Sequence, residues 1–138
     1  MEDGKVFQLE VVTPMRYFYT GPVTMVEFTT TEGDIGVLPG HIPLTCIAAP
    51  GILRIHTEKE IHEAALMDGI VRIMPDGVTI LAEACEWPDE IDIVRANEAK
   101  IRAERRLKKG SDNVNLTRAE IAFKRSLMRI ELASLNKK

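Results

Sequence analysis

The sequence predicts an α+β protein in which an N-terminal all-β sandwich, or flattened barrel, is followed by a C-terminal antiparallel two-helix hairpin. Short apolar runs separated by turn residues fill positions 5–86, as they do in sandwiches and barrels. After Pro88 the turn residues become rare and apolar residues recur at helical spacing. We therefore divide the chain into a sandwich domain, 1–87, and a helical domain, 88–138.

The charge of the chain changes sign near the same position. Residues up to Pro88 include 5 Lys and Arg against 13 Asp and Glu, a net charge of −8, and the remainder includes 13 against 8, a net charge of +5. Over the 138 residues the net charge is −3, and the apolar content of 45% is sufficient for one core. The two parts are therefore expected to meet different partners, the basic part being suited to phosphates or acidic protein surfaces.

The first domain begins with an alternation that is typical of a half-buried strand. Phe7, Leu9 and Val11 are apolar, and polar residues separate them. Further strand-like runs are predicted at 17–19, 24–28, 35–38, 42–48, 52–56, 60–67, 70–74 and 78–84. Turn residues separate these runs at Gly21-Pro22, Glu32-Gly33-Asp34, Asp68-Gly69 and Asp76-Gly77.

Two helices are predicted in the second domain. The first enters at Pro88-Asp89, runs from Ile91, and ends at Gly110 after two lysines that suit the negative end of the helix dipole. A turn is expected over 111–115. Thr117 and Glu120 have the spacing of a capping box, which predicts a second helix from there to about Leu135.

The apolar stripes of the two predicted helices consist largely of small residues. These are Ala96, Ala99 and Ala103 on the first helix and Ala119, Ala122, Ser126 and Ala133 on the second. Small side chains allow close approach but bury little area, at ~25 cal/mol per Å². We therefore expect a hairpin of marginal stability that is able to open.

The sequence does not predict catalysis, a metal site or a membrane span. Cys46 and Cys85 stand in apolar surroundings without CxxC spacing, which predicts buried reduced thiols. His41, His56 and His62 have no carboxylate or thiol at metal-ligand spacing. The N-terminus lacks the features of a signal peptide and no window is apolar enough to span a bilayer, so we expect a cytoplasmic protein without membrane insertion.

Four arginines stand at helical spacing on the two predicted helices. Arg95 and Arg102 are seven apart on the first, and Arg125 and Arg129 are four apart on the second, so each pair lies along one face. A charged run of this kind is often only a solvated face. Arginines that converge across a close hairpin would instead repel one another unless an anion lay between them, and guanidinium groups bind phosphate well. Both interpretations stay open.

Two motifs resemble the epsilon subunit family of bacterial F-type ATP synthase. They are EGDIGVLPGH at 32–41 and IDIVRA at 91–96, the second matching the family's ATP-binding pattern I(L)DxxRA, and the resemblance covers nearly the whole chain. It implies a non-catalytic rotor subunit in the central stalk of the proton-translocating enzyme, at the cytoplasmic face of the bacterial membrane. The sandwich would bind the gamma subunit and the c-ring, the latter through a loop with Glu32 and His41.

The same resemblance implies that the hairpin is regulatory. Folded down on the sandwich it would permit ATP hydrolysis, and extended into the catalytic alpha/beta head it would block rotation in the hydrolysis direction. In members that bind ATP, the nucleotide favours the folded form, and the pattern leaves open whether Mg²⁺ accompanies it. Carried over by position, the ATP site would comprise Glu86, Ile91, Asp92, Arg95, Ala96, Arg102, Arg125 and Arg129.

Two alternatives to an ATP-sensing rotor subunit differ in what the basic helices contact. In the first, the same rotor subunit binds no ATP, and the arginines serve only inhibitory docking. In the second, the helices form a nucleic-acid-binding module. Against the second, the whole chain is acidic and contains no recognised nucleic-acid-binding motif, so no nucleic-acid partner is predicted.

Overall fold

The computed structural model describes residues 5–109 and 113–136. Eight strands come first and two α-helices follow, so the predicted fold class is confirmed. The chain forms two compact units, Met1–Cys85 and Glu86–Lys138. In the described part of the chain, neither helix is both long and apolar enough to cross a membrane.

The first unit is built from short strands that the predicted runs anticipate closely. The strands are β1 (Phe7–Val12), β2 (Tyr17–Val23), β3 (Met25–Thr30), β4 (Gly33–Val37), β5 (Leu44–Ala48), β6 (Gly51–His56), β7 (Ile61–Met74) and β8 (Gly77–Glu86). Their order in the sheet is β2-β1-β8-β7-β5-β3-β4, and β6 pairs with both β3 and β7. Alternate side chains of these strands, including Leu9, Val11, Phe28, Leu53 and Ile80, are fully buried and form the core.

Asp68 and Gly69, predicted to be a turn, lie inside the 14-residue strand β7. Before this dipeptide β7 pairs with β6, and from Gly69 onward it pairs with β5. Asp68 adopts φ 41°, and a β-carbon on Gly69 would lie 2.5 Å from the carbonyl oxygen of Leu81. The prediction was wrong because the dipeptide bends one long strand between two partners and does not end it.

Gly21 and Pro22 were also predicted to punctuate the chain, yet both lie in β2, where Pro22 stands opposite Gln8. In the sheet order β2 is an edge strand, where a residue without an N–H group is tolerated. Two other predicted turns are confirmed close to their expected positions. The chain turns at residues 31–32 before Gly33, which has φ 126°, and again at residues 75–76 before Gly77.

The second unit begins with a short 3₁₀ turn, Pro88–Glu90, followed by α1 (Ile93–Lys109) and α2 (Asn113–Asn136). Helix α1 therefore starts two residues later than predicted and its last described residue is Lys109, while the predicted stop at Gly110 lies outside the described residues. Helix α2 already includes 113–115, so the turn predicted there is wrong. Thr117 lies in its second turn and does not cap it.

Helices α1 and α2 pack on one another as a hairpin. The small residues Ala96, Ala103, Ala119 and Ser126 are buried, and the Ser126 hydroxyl donates a hydrogen bond to the Ala122 carbonyl oxygen at 2.9 Å. Helix α2 also buries Met128 and Leu132. The buried side of α2 is therefore more apolar than the alanine pattern alone suggested.

Candidate functional site

A cleft of about 350 Å³ lies within the second unit. Its volume is within the range of small-molecule sites, which begins at roughly 300 Å³. Three carboxylates, three guanidinium groups and two alanines line it: Glu86, Glu90, Asp92, Arg95, Ala96, Ala99, Arg102 and Arg129. Such a lining offers charged groups of both signs and no chemistry of the nucleophile–base kind.

Helix α1 and the residue before it supply one wall of the cleft. Asp92, Arg95, Ala99 and Arg102 follow at intervals of three and four, and this spacing places them on one helical face. Ala96 and Ala99 have the smallest side chains with a β-carbon and leave space between the arginines. The IDIVRA motif therefore occupies the start of the cleft wall, as its residue pattern predicts.

Asp92 fixes the start of this wall. Its Oδ1 atom accepts a hydrogen bond from the backbone N–H of Arg95 at 3.1 Å, and its carbonyl oxygen accepts one from the N–H of Ala96 at 3.0 Å. These bonds make Asp92 the N-cap of α1, a position that favours aspartate. The resemblance places Asp92 in the ATP site, and in this structure its side chain bonds to the Arg95 backbone.

Glu90 is a cleft residue that the sequence analysis missed. Its Oε1 atom accepts a hydrogen bond from the backbone N–H of Trp87 at 2.9 Å, which closes the 3₁₀ turn between β8 and α1. The sequence carried no capping-box signal here, because tryptophan stands where the box requires Ser or Thr. This turn lies between Glu86 and Asp92, and both of these residues line the cleft.

Arg129 of α2 forms a two-pronged ion pair with Glu86. Its Nε atom lies 2.9 Å from Glu86 Oε1, and one terminal nitrogen lies 3.1 Å from Oε2. The two side chains are 28% and 30% exposed, so the pair is partly desolvated. Parallel bonds between a guanidinium fork and a carboxylate are among the stronger charge-assisted hydrogen bonds. Of the two interpretations left open, the second required an external anion between the arginines, and here the Glu86 carboxylate already pairs with Arg129.

The guanidinium groups of Arg95 and Arg102 are placed differently. Both side chains are exposed at the cleft. Within residues 5–109 and 113–136, neither group forms a hydrogen bond or ion pair with another side chain. Helix α1 therefore presents two guanidinium groups to the cleft that form no ion pair with a described carboxylate.

Six of the eight residues predicted for the ATP site line one cleft, and two do not. Ile91 ends the 3₁₀ turn, where its N–H donates to the Pro88 carbonyl oxygen at 3.3 Å. Arg125 lies one turn before Arg129 on α2 and is half-buried. The structure therefore assembles Glu86, Asp92, Arg95, Ala96, Arg102 and Arg129 and leaves Ile91 and Arg125 outside the lining.

Glu32 and His41 were predicted to share one loop, and the structure separates them. Glu32 lies in the turn between β3 and β4, whereas His41 lies in the connection between β4 and β5. Strand β4 has five residues, so the α-carbons at its two ends are about 13 Å apart. His41 Nδ1 lies 2.6 Å from the Leu38 carbonyl oxygen, and its ring packs edge-on against Phe7.

The histidines and cysteines are not grouped. His56 Nε2 lies 2.6 Å from Glu27 Oε1, and His62 Nε2 lies 3.2 Å from Glu60 Oε1. Among the described residues, no group of three or more His, Cys, Asp and Glu side chains has the arrangement of a metal site. Both cysteines are free thiols, and Cys85 is buried as predicted. Cys46 is only half-buried, contrary to the prediction, although burial still raises the pKa of its thiol.

Two protein-family models match the chain in succession. The first, described as ATP synthase, delta/epsilon chain, beta-sandwich domain, matches residues 6–88. The second, described as ATP synthase, delta/epsilon chain, long alpha-helix domain, matches residues 89–134. The two matches together cover both units.

Individual relatives agree with the family matches. The chain is 49% identical over 131 residues to the ATP synthase epsilon chain of Caldanaerobacter subterraneus subsp. tengcongensis, covering 94% of this chain and 95% of the relative. It is 42% identical over 126 residues to that of Halalkalibacterium halodurans, covering 91% and 95%.

Solved structures share the fold at lower identity. A chain of the Euglena gracilis mitochondrial ATP synthase, in a structure of OSCP, F1 and the c-ring, has a TM-score of 0.80 at 23% identity and covers 98% of this chain and 86% of its own. A chain from the central stalk and c-ring of the Tetrahymena thermophila mitochondrial ATP synthase has a TM-score of 0.60 at 14% identity and covers both chains completely.

Proposed function

Because this chain belongs to the delta/epsilon chain family of ATP synthase, we propose that it is a non-catalytic subunit of the central stalk that rotates with the c-ring. It would bind the gamma subunit and the c-ring through its sandwich, at the cytoplasmic face of the bacterial membrane. The family matches over both units support this role, and so does the fold shared with chains of two ATP synthase structures, one of OSCP, F1 and the c-ring and one of the central stalk and c-ring.

Exposed apolar residues on the sandwich support a protein partner. Ile47 on β5 lies directly opposite Ile70 on β7, and these side chains are 62% and 50% exposed. Leu81 on β8 is also exposed. Adjacent exposed apolar side chains favour burial against another protein, and we assign this surface to the gamma subunit. Because β4 separates Glu32 from His41, we propose that these two residues contact the c-ring at two separate points.

We further propose that the hairpin binds ATP in the cleft of the second unit. The observation that carries this proposal is that Arg95 and Arg102, on one wall of a cleft that Arg129 also lines, form no ion pair with any side chain in the part of the chain that the structure describes. Triphosphate oxygens are suitable acceptors for such groups. A nucleotide there would contact α1 and α2 together and would therefore stabilise their packed arrangement.

The packed hairpin would be the form that permits ATP hydrolysis, and the open form would inhibit it. A ligand that binds only the packed form shifts the balance by RT ln(1 + [L]/Kd), about 2.7 kcal/mol at a hundredfold excess over Kd. When the hairpin opens, half-buried arginines of α2 join residues of α1 that are already exposed, and together they can meet acidic surfaces of the catalytic alpha/beta head. The half-buried residues are Arg125 and Arg129, and the exposed ones are Arg105, Arg106, Lys108 and Lys109.

ATP is expected to raise the melting temperature of the isolated protein, and Arg129→Ala is expected to remove most of that rise. Arg129 is the cleft residue that connects α2 to the rest of the site, so its loss removes the contact between nucleotide and second helix. Differential scanning fluorimetry with and without ATP measures both effects. Lys124→Ala is the control, because Lys124 is an exposed cation of α2 outside the cleft lining. An absent ATP effect in the unmodified protein would contradict nucleotide sensing and leave the stalk role intact.

Deletion of residues 89–138 is expected to abolish inhibition of ATP hydrolysis while preserving assembly of the complex. The sandwich has its own core, so its docking surfaces remain after the helices are removed. Reconstitution with the other ATP synthase subunits, followed by gel filtration and an ATPase assay, measures both properties. Loss of assembly in the truncated protein would contradict the assignment of docking to the sandwich.

One alternative has structural support of its own. Arg129 is already paired with Glu86, so the hairpin has an internal source of negative charge. The same stalk subunit could then inhibit hydrolysis without physiological ATP binding, and its arginines would serve only docking on the head. The ATP-dependent melting experiment distinguishes the two hypotheses.

A further inference from the structure

The Glu86–Arg129 ion pair occupies part of the cleft that the proposed nucleotide would enter. Both residues line the cleft, and they face Arg95 and Arg102 there. Glu86 belongs to the end of β8 and Arg129 to α2, 43 residues later in the chain. The pair therefore connects the start of the second unit to its last helix.

The N–H groups with which Arg129 binds Glu86 are also well placed to bind a phosphate group. Arg129 engages both carboxylate oxygens of Glu86, through Nε at 2.9 Å and one terminal nitrogen at 3.1 Å. A phosphate group binds a guanidinium in the same two-pronged manner, so the carboxylate and a phosphate cannot both use this edge. The Glu86 charge also repels an anion in the cleft, and partial burial limits its screening by solvent.

We infer that Glu86 is an intramolecular competitor of the nucleotide for Arg129. This inference rests on the proposed function. Without nucleotide, Glu86 holds α2 in the packed hairpin. When ATP binds, the Arg129 guanidinium exchanges its hydrogen bonds with the Glu86 carboxylate for hydrogen bonds with a phosphate group. The ligand then keeps α2 packed against α1. The strength of the ion pair therefore sets the ATP concentration at which the exchange occurs.

Glu86 should consequently affect two properties in opposite directions. It stabilises the ligand-free hairpin, because it neutralises Arg129. It weakens ATP binding, because the nucleotide must displace it. A residue that simply contacted the nucleotide through a hydrogen bond would instead strengthen binding, so the sign of the effect on affinity separates the two roles.

Glu86→Gln tests this directly, because it removes the charge and keeps the size of the side chain. Isothermal titration calorimetry with ATP is expected to show roughly tenfold tighter binding, the equivalent of one charge-assisted hydrogen bond that no longer has to be broken. The melting temperature of the ligand-free variant is expected to fall. Glu131→Gln is the matched control, since Glu131 is an exposed glutamate of α2 outside the cleft, and it should change neither quantity.

A double variant separates the contribution of the Glu86–Arg129 ion pair from other effects of Glu86. In a chain that already carries Arg129→Gln, the further change Glu86→Gln should tighten ATP binding clearly less than it does in the natural background, because the competition for Arg129 is gone and only the charge repulsion remains. Unchanged or weaker ATP binding by Glu86→Gln in the natural background overturns the inference and leaves the proposed ATP site standing. Binding by Glu86→Gln alone, with none by the unmodified chain, supports it. No ATP binding by any variant rejects the proposed ATP site and this inference together.

Discussion

Arg95→Gln combined with Arg102→Gln is expected to weaken ATP binding by roughly 10²–10⁴-fold. Each guanidinium lacks a partner among the described side chains, so each is available to the nucleotide phosphates without breaking an existing ion pair. A hydrogen bond to a charged group contributes about 1.5–3 kcal/mol, and two lost bonds of this kind give the stated range. Calorimetric titration with ATP measures the loss.

The fold should tolerate this double substitution, because both side chains are exposed and glutamine forms helices well. Arg105→Gln combined with Arg106→Gln removes the same charge from exposed positions of α1 outside the cleft and serves as the control. Equal weakening by the control would mean that general electrostatic attraction, and not the cleft, holds the nucleotide. Retained affinity in the cleft variant would show that ATP binds elsewhere.

Phe28→Ala is expected to lower the free energy of unfolding of the sandwich by about 3–5 kcal/mol. Phe28 lies on β3, where it stands opposite Ile35 of β4, and is only 1% exposed, so its removal leaves a cavity that neighbouring strands cannot readily fill. At 4–8 °C per kcal/mol for a domain of this size, the melting temperature should fall by at least ~12 °C. Thermal denaturation followed by circular dichroism measures the change.

The same variant tests whether the two units are independent. All residues that line the cleft belong to the second unit, so ATP affinity at a temperature where Phe28→Ala is still folded should match that of the unmodified chain. Val94→Ala, at an exposed position of α1, should change neither the free energy of unfolding of the sandwich nor the ATP affinity substantially. A large loss of ATP affinity in Phe28→Ala would mean that the sandwich core supports the cleft directly.

Much of the cleft could be predicted because helical periodicity is visible in the sequence. Asp92, Arg95 and Arg102 are separated by three and seven residues, so a helix through them necessarily places them on one face. The pairing of Glu86 with Arg129 could not be predicted in the same way, since 43 residues separate them and only the packing of α2 brings them together. For the same reason the sequence did not show that the Glu86 carboxylate, and not only an external anion, can pair with Arg129.

The local errors have a common cause, in which tertiary pairing overrides a short-range signal. Asp68-Gly69 is a strong turn signal, but β7 gains partners on both sides of it and continues. Thr117 resembles a helix cap, yet a threonine inside a helix costs less than ~1 kcal/mol, so the packing of α2 can extend the helix past it. Strand alternation, by contrast, predicted β1 correctly because its pattern reflects burial itself.

The parallel pairing of β1 with β8 constrains the order of events during synthesis. Residues Gln8–Val12 align with Gly77–Leu81, so the first strand lacks one neighbour until the last strand of the sandwich has left the ribosome. Pairing β1 with β8 brings together residues that are about 70 positions apart in the chain, and such distant pairing makes completion of the sandwich a late step in folding. Strand β8 ends at Glu86, so the carboxylate that pairs with Arg129 belongs to the strand that is the last of the sandwich to be synthesised.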